Sequence, residues 1–346
     1  VLPGGDALTV DRLNEPAPTG IPVASERRRL GVAGTGASGQ RRNSRRAALR
    51  SSAALLLPLT PVGPRGFSGI REKHLRGGAR AFYRPCVSVQ LTILGSGSSG
   101  NCAYLETDET RLLIDAGFSP RQIRQRLADI GRTPESLHGI LVTHEHSDHI
   151  SGLGGIAMKL GIPVFCNRAT KDEIEQHHGG AINAQLFITG NTFAVGDVEV
   201  DTFAIPHDAQ DPVGFLIRTT AGNIGFATDL GHFTRLVGER VRQANVLVLE
   251  TNHDVKLLHD CPRRPWSLKQ RILGRHGHLS NDAAADALEI IMSDTLRHLY
   301  LGHLSRECNR PELALATLHE RVERLGARHC RLELTTQSAP SPTLTL

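Results

Sequence analysis

The sequence has no apolar run long enough to cross a membrane and too few cysteines to hold a disulfide scaffold. No stretch reaches the roughly 18 apolar residues that a spanning helix needs. The six cysteines include no Cys-x-x-Cys pair, which argues against a disulfide framework or a zinc ribbon. Hydrophobic residues make up 39% of the 346 residues, enough for a core. We therefore expect a cytoplasmic protein of one large or two ordinary domains.

Acidic residues are scarce only in the first part of the chain. Residues 1–90 carry 15 Lys and Arg against 5 Asp and Glu, whereas the other 256 residues carry 25 against 30. The net charge of +5 therefore comes from the N-terminal part. It does not indicate nucleic-acid affinity for the rest of the chain.

Residues 1–88 are basic, rich in Arg, Gly and Pro, and show no helical or strand periodicity. We expect a disordered leader, or translated sequence upstream of the natural start. Two alternatives stay open. Ser44-Arg45-Arg46 followed by Ala53–Leu57 faintly resembles a twin-arginine export signal. The Arg-rich, acid-poor composition also fits an organellar transit peptide.

From Leu91 onward, apolar strand-like segments come first, then alternate with helical ones, and this order repeats. It predicts two packed sheets with helices outside, an α/β fold with a four-layer αββα sandwich of two similar halves. We assign residues 89–335 to this domain. Residues 336–346 have turn composition and are expected to form a flexible tail.

The strongest chemical signal is the segment THEHSDH at 143–149, directly after a buried-type strand. His144 and His146 point to the same side of an extended turn because side chains alternate. Asp148 and His149 can then reach a second point nearby. Imidazole nitrogens and carboxylate oxygens are the ligands that zinc-like metals prefer, so this loop can begin two adjacent metal sites.

Further candidate ligands follow three apolar strands. His207 follows one strand, Asp229 follows a second, and His303 follows a third. Each is a weak signal alone. Together with the loop they supply a full set of ligands for two metals, for which the residue types allow zinc, manganese or iron.

HEHSDH followed by a distant His, Asp and His at strand ends resembles the metallo-β-lactamase superfamily. The resemblance covers about residues 91–335. It implies that His144, His146 and His207 hold one metal and that Asp148, His149 and His303 hold the other. It also implies that Asp229 bridges both metals and that a water between the two cations attacks the substrate. We expect two divalent ions, with Zn²⁺ favoured over Mn²⁺, and count Asp148 and Asp229 as catalytic.

A narrower resemblance rests on LGSGSSGNCAYLE, LLIDAGFS, VTHEHSDHISGL, LETNHD, GHLSN and LGHLSRE. These phrases are similar to the YycJ (WalJ)-type bacterial proteins of this fold, described as 5′→3′ DNA exonucleases. His278 in GHLSN also resembles the His that precedes the last metal ligand in related nucleases, where it contacts the scissile phosphate or protonates the leaving oxygen. We therefore predict His278 as catalytic and DNA as substrate. A helix-entry role for His278 stays open.

Other polar residues have plainer interpretations. GSGSSGN lacks the Lys-Ser/Thr ending of a nucleotide-binding loop and predicts a tight turn, with Ser98, Ser99 and Asn101 at the site floor. Asp115 is predicted to fix a ligand-bearing loop. Asp208 either orients His207 or faces water. Residues 259–266 are expected to form an irregular loop over the site. A basic stretch beside His278 either follows a nucleic-acid backbone or is a solvated helix face; its members are Arg263, Arg264, Lys269, Arg271 and Arg275.

Three functions are weighed. A metal-dependent DNA exonuclease leads. A hydrolase of a small molecule (a thioester, lactone or cyclic phosphodiester) is the alternative on the same fold. A non-catalytic regulatory protein of cell-envelope signalling is the third, and the complete ligand set argues against it. A homodimer is left open.

Overall fold

The apolar segments predicted as strands form two β-sheets in residues 88–346, the part of the chain that the computed structural model describes. The leader predicted for residues 1–88 lies outside this part, apart from its last residue. No helix within residues 88–346 is long and apolar enough to span a membrane.

The first sheet has seven strands in the order β14-β1-β2-β3-β4-β5-β6 within the described residues. Its strands are β1 (Gln90–Gly95), β2 (Cys102–Glu106), β3 (Arg111–Ile114), β4 (Gly139–Leu141), β5 (Val164–Cys166), β6 (Ala184–Leu186) and β14 (Leu344–Thr345). Strands β14 to β3 pair antiparallel, and β3 to β6 pair parallel.

The second sheet repeats this plan, with seven strands in the order β13-β12-β11-β10-β9-β8-β7. Its strands are β7 (Thr192–Val195), β8 (Val198–Ala204), β9 (Val213–Thr219), β10 (Gly222–Ala227), β11 (Val246–Glu250), β12 (His298–Gly302) and β13 (Arg331–Leu334). Pairing is antiparallel from β7 to β10 and parallel from β10 to β13. The two predicted halves therefore share one topology.

Helices lie outside the two sheets, and most of them pack on an outer face. They are α1 (Pro120–Asp129), α2 (Ser147–Ile150), α3 (Arg168–His178), α4 (Arg235–Val241), α5 (Val255–Asp260), α6 (Trp266–Leu273), α7 (Asn281–Ile291) and α8 (Pro311–Arg324), with a 3₁₀ turn at Pro134–Ser136 and a π-helical turn at Gly154–Met158. Ser119 and Ser280 are the N-caps of α1 and α7, respectively. Their hydroxyls accept hydrogen bonds from backbone N–H groups in the first turn of each helix.

Three apolar layers hold the sandwich together. Leu91, Val200 and Val248 belong to the layer between the sheets. A second layer packs the first sheet on α1 and α3, for example through Ile123. A third packs the second sheet on α4, α7 and α8, for example through Leu288. The predicted αββα sandwich is confirmed.

The predicted flexible tail is wrong for residues 336–346. Leu344 and Thr345 form β14, which pairs antiparallel with the edge strand β1. The Ser341 hydroxyl accepts a hydrogen bond from the Ile93 N–H at 3.0 Å, and the Gln337 carbonyl accepts one from Arg126 at 2.8 Å. The tail is ordered because it supplies hydrogen-bond partners to an otherwise open sheet edge.

Candidate metal centre

The predicted ligands lie together at the carboxyl ends of parallel strands, the edge at which α/β folds commonly bind ligands. Asp115 follows β3, His144 follows β4, Asp229 follows β10 and His303 follows β12. Glu250 is the last residue of β11. Neighbouring strands of both sheets therefore place polar side chains together at this edge of the sandwich.

The THEHSDH loop is held by close backbone contacts. His146 precedes the short helix α2, whose first turn contains Asp148 and His149. The Asn101 N–H donates to the Asp148 carbonyl at 2.8 Å. A Cβ on Gly117 would lie 1.6 Å from that same carbonyl oxygen, so only glycine allows this packing.

Three imidazoles form the first predicted donor set. One ring nitrogen each from His144, His146 and His207 lies within 4.8 Å of the others. His207 Nε2 lies 3.2 Å from His146 Nδ1. His144 is fully buried, and its Nε2 has no hydrogen-bond partner among the described residues.

Asp148, His149 and His303 form the second predicted donor set, also within 4.8 Å of one another. Asp148 Oδ2 lies 3.3 Å from His303 Nε2 and 3.7 Å from His149 Nε2. The Asp148 side chain is 20% exposed, whereas His149 is fully buried. Solvent therefore reaches this set past Asp148.

Asp229 lies between the two sets. Its Oδ2 is 3.3 Å from His149 Nε2, and its Oδ1 is 3.9 Å from His207 Nε2. The carboxylate is buried, and Oδ2 has no hydrogen-bond partner within residues 88–346. This is the position that a ligand bridging two cations requires.

Hydrogen bonds behind the cluster fix where the protons sit. His149 Nδ1 donates to Asp115 Oδ2 at 2.8 Å, and His207 Nδ1 donates to the Gly277 carbonyl at 3.1 Å. The Thr143 hydroxyl donates to Asp115 and accepts from His144 Nδ1 at 3.0 Å. In the neutral form of these imidazoles, the Nε2 lone pairs therefore all face the cluster. Asp115 orients a ligand-bearing loop, as predicted.

This donor set fits divalent cations. Lone pairs that converge in a buried space repel one another unless a cation lies between them. In a tetrahedral zinc shell, two nitrogens about 2.0–2.1 Å from the metal are about 3.3 Å apart. The 3.2 Å between His207 Nε2 and His146 Nδ1 agrees with that spacing. Nitrogen and carboxylate donors without sulfur suit zinc and also manganese.

Glu250 is the functional residue that sequence reasoning missed. Its buried Oε1 accepts from His278 Nδ1 and from His303 Nδ1, both at 2.8 Å. Its Oε2 accepts from the Leu230 and Leu279 N–H groups at 2.5 and 3.2 Å. Glu250 therefore fixes the tautomer of both imidazoles. An acidic residue that closes the wholly buried strand VLVLE was the available signal.

Charge and burial act in opposite directions on the cluster. Burial raises the pKa of Glu250, but His278 and His303 outweigh it and lower the pKa to about 2. Burial lowers the pKa of His149 and His303, but Asp229 and the other carboxylates outweigh it and raise both pKa values well above the usual range. The surplus of carboxylates makes the cluster attractive to cations.

Three residues of the cluster have left-handed backbone conformations. Asp115, Asp229 and His303 have φ angles of 59°, 60° and 56°, and in residues 88–346 they are the only residues other than glycine with positive φ. Such conformations are uncommon for these residue types. Each occurs at the turn after a strand, where it directs the side chain into the cluster.

Known proteins share this architecture. Residues 110–303 match the family described as the beta-lactamase superfamily domain. "Exodeoxyribonuclease YycJ" of Bacillus anthracis is 38% identical over 242 residues, which cover 69% of this chain and 91% of that protein. "Exodeoxyribonuclease WalJ" of Streptococcus pneumoniae serotype 2 is 39% identical over 236 residues, covering 67% and 87%. The chain belongs to the metallo-β-lactamase superfamily and is a YycJ-type protein.

A solved structure supports the same fold. The metallo-β-lactamase fold protein YhfI from Bacillus subtilis superposes with a TM-score of 0.55 at 14% identity, over 75% of this chain and 100% of that one. At this identity the likeness shows the fold alone.

The predicted metal ligands, called the metal cluster below, lie at a cavity of about 290 Å³. Asp148, Asp229, His278 and His303 line it together with Arg264 and Arg271. His278 is 23% exposed, and its Nδ1 is 3.8 Å from Asp229 Oδ1. The structure therefore brings His278 to the predicted ligands.

The remaining candidates separate into those at the cavity and those behind it. Ser98 lines the cavity, whereas Asn101 lies behind it with Nδ2 3.2 Å from His149 Nε2. Asp208 also lines the cavity, where it accepts a hydrogen bond from Arg271 and lies 3.5 Å from His207 Nε2.

The predicted basic stretch is not one continuous surface. Arg264 and Arg271 line the cavity. Lys269 is buried and donates to the His259 carbonyl at 2.6 Å, and Arg275 lies against His232 instead. The stretch as a whole is therefore neither a track for a nucleic-acid backbone nor one solvated helix face, and its members at the cavity, Arg264 and Arg271, are the ones that can meet a substrate. Residues 261–265 do form a loop at the site, between these helices.

Proposed function

We propose that this protein is a metal-dependent DNA exonuclease that works in the 5′→3′ direction, with a water bridged by two divalent cations as the attacking group. The observation that carries the proposal is the pair of adjacent buried donor sets with Asp229 between them, beside an open cavity. The names of the relatives from Bacillus anthracis and Streptococcus pneumoniae support DNA as the substrate.

His144, His146 and His207 would hold one cation, Asp148, His149 and His303 the other, and Asp229 both. Two divalent cations held there would lower the pKa of a water molecule and would stabilise negative charge on the phosphate and the leaving oxygen. Zinc is the favoured metal, with manganese the second candidate.

The chain's own residues would orient the reaction. Asp148 and Asp229 offer carboxylate oxygens at the cavity wall, where they can accept hydrogen bonds from the water. Because Glu250 accepts from His278 Nδ1, His278 Nε2 is the free nitrogen. We assign the protonation of the leaving 3′-oxygen to His278 in its imidazolium form, which carries a second proton on Nε2 and passes it to that oxygen. Arg271, fixed by Asp208, adds positive charge at the cavity wall.

A nuclease assay on double-stranded DNA labelled at the 5′ end tests the proposal. The full chain is assayed with Zn²⁺ and with Mn²⁺, and with Asp229→Ala as the control. Early release of short labelled products, dependent on metal and abolished in the control, is the expected result.

The other outcomes separate the parts of the proposal. Labelled fragments that shorten gradually from the unlabelled end would overturn the direction and keep the nuclease. Metal bound without cleavage of DNA would favour a hydrolase of small molecules on the same fold.

A further inference from the structure

A second cavity, of about 510 Å³, adjoins the one at the metal cluster. The two cavities share Ser98 and Arg264 in their linings. The second cavity lies over the turn Gly97–Gly100 and is lined by Ser98, Ser99, Arg263, Arg264, Arg306, Glu307 and Gln337. It contains none of the predicted metal ligands.

Positive charge is in excess in this second cavity. Arg263 Nε lies 3.4 Å from Glu307 Oε1, and Arg264 Nε lies 3.2 Å from Glu307 Oε2. Two guanidinium groups thus share one carboxylate. Arg264 Nε is buried and has no hydrogen-bond partner within residues 88–346, so its contact with Glu307 is ionic without hydrogen-bond geometry.

Arg306 is the third cation of the cavity. It is exposed and forms no ion pair within the described part of the chain. Ser98 and Ser99 are also exposed and add hydroxyl groups to the same lining. Guanidinium groups with hydroxyl donors are the chemistry that recognises phosphate, since the planar fork of Arg can donate two parallel hydrogen bonds to its oxygens.

We propose that the second cavity binds a neighbouring phosphate of the nucleic-acid strand whose scissile phosphate lies at the metal cluster. The shared lining by Ser98 and Arg264 makes the two cavities one path, which suits a chain of regularly spaced phosphates. A substrate with a single phosphate cannot occupy both places. This inference rests on the proposed nuclease function. It names the residues that would make the protein selective for a polynucleotide.

Kinetics of Arg306→Gln and Arg264→Gln in the full chain test this assignment. Each variant is assayed with DNA and with bis(p-nitrophenyl) phosphate, a diester that has one phosphate. Arg306→Lys keeps the charge, and Arg235→Gln removes a charge from a side chain that is 90% exposed and does not line either cavity. Arg306 is exposed and has no ion pair with the residues that the structure describes, so its replacement is the one expected to disturb folding least.

With DNA as substrate, both Gln variants are expected to have a kcat/KM that is roughly 10- to 100-fold lower, because KM rises. This is the effect expected from losing one charge-assisted hydrogen bond. The salt dependence of log KM should fall by about one unit of slope for each variant. Arg306→Lys should recover most of the loss, and Arg235→Gln should match the unaltered protein. Hydrolysis of the one-phosphate diester should not change in Arg306→Gln, Arg306→Lys or Arg235→Gln.

Binding of the same DNA in EDTA, followed by fluorescence anisotropy, separates this inference from the proposed function. If the unaltered protein cleaves DNA but both Gln variants bind and cleave like Arg235→Gln, the phosphate cavity is refuted and the nuclease stands. If DNA is bound through these arginines but never cleaved, the cavity stands and the nuclease is refuted.

Discussion

Replacing Glu250 with Gln tests how the cluster is held in its metal-binding form. Glu250 accepts four hydrogen bonds, two from the imidazoles of His278 and His303 and two from backbone N–H groups. Gln has the same shape but offers one accepting oxygen and one donating NH₂. The NH₂ must therefore face either the backbone pair or the imidazole pair.

The two orientations have different costs. Turning the NH₂ to the backbone would leave two buried N–H donors unsatisfied, at about 1–3 kcal/mol each. Turning it to the imidazoles allows them to change tautomer, so that Nδ1 accepts and Nε2 carries the proton. The second orientation costs less free energy. It places a proton on His303 Nε2, the nitrogen that lies 3.3 Å from Asp148 Oδ2, so this nitrogen no longer has a lone pair for a metal. We expect metal affinity to fall roughly 10- to 100-fold, about 1.4–2.8 kcal/mol.

Competition with a chromophoric chelator measures this affinity, and Glu106→Gln is the matched control. Glu106 accepts hydrogen bonds from Arg111 and Arg132 at 2.9 and 2.6 Å and contacts none of the predicted ligands. Its variant should lose stability without losing metal. If Glu250→Gln binds metal as tightly as Glu106→Gln does, the reasoning from tautomers is refuted.

Three further predictions concern the same centre. Gly117→Ala should lower the free energy of unfolding by at least about 1–3 kcal/mol and should also lower the metal content, because its Cβ would collide with the Asp148 carbonyl. Urea unfolding and metal analysis measure the two effects. His278→Gln should keep the metals but lower kcat on DNA roughly 10²- to 10⁴-fold, whereas the exposed neighbour variant His276→Gln should not. Zinc at 100 times its Kd should raise the free energy of unfolding by about 2.7 kcal/mol over the EDTA-treated protein, seen as a higher Tm in a thermal scan.

Much of the fold could be predicted because its signals are local. Apolar strands such as VLVLE and helices such as Asn281–Ile291 are evident within short windows. Strand β14 could not be predicted in the same way, since its partner β1 lies at the other end of the described chain. The Thr92 and Thr343 hydroxyls meet across a separation of 251 residues. The only local indication of this strand was that the apolar residues Leu344 and Leu346 alternate with a polar one.

The candidate site was predictable where ligands cluster in sequence or end a strand. His144, His146, Asp148 and His149 fall within one loop, so spacing suggested that two adjacent metal sites begin there, and the family resemblance completed both donor sets. Glu250 was missed because its role depends on His278 and His303, which approach it only in the folded chain. The second cavity was missed for the same reason: Ser98, Arg264 and Arg306 are far apart in sequence.

Anomalous diffraction from crystals grown with zinc tests the central claim most directly, because it counts and places the metals. The account predicts two peaks about 3.5–4 Å apart. One should lie among His144, His146 and His207, the other among Asp148, His149 and His303, with Asp229 contacting both. A single peak, or two peaks without Asp229 between them, would contradict the two-metal centre.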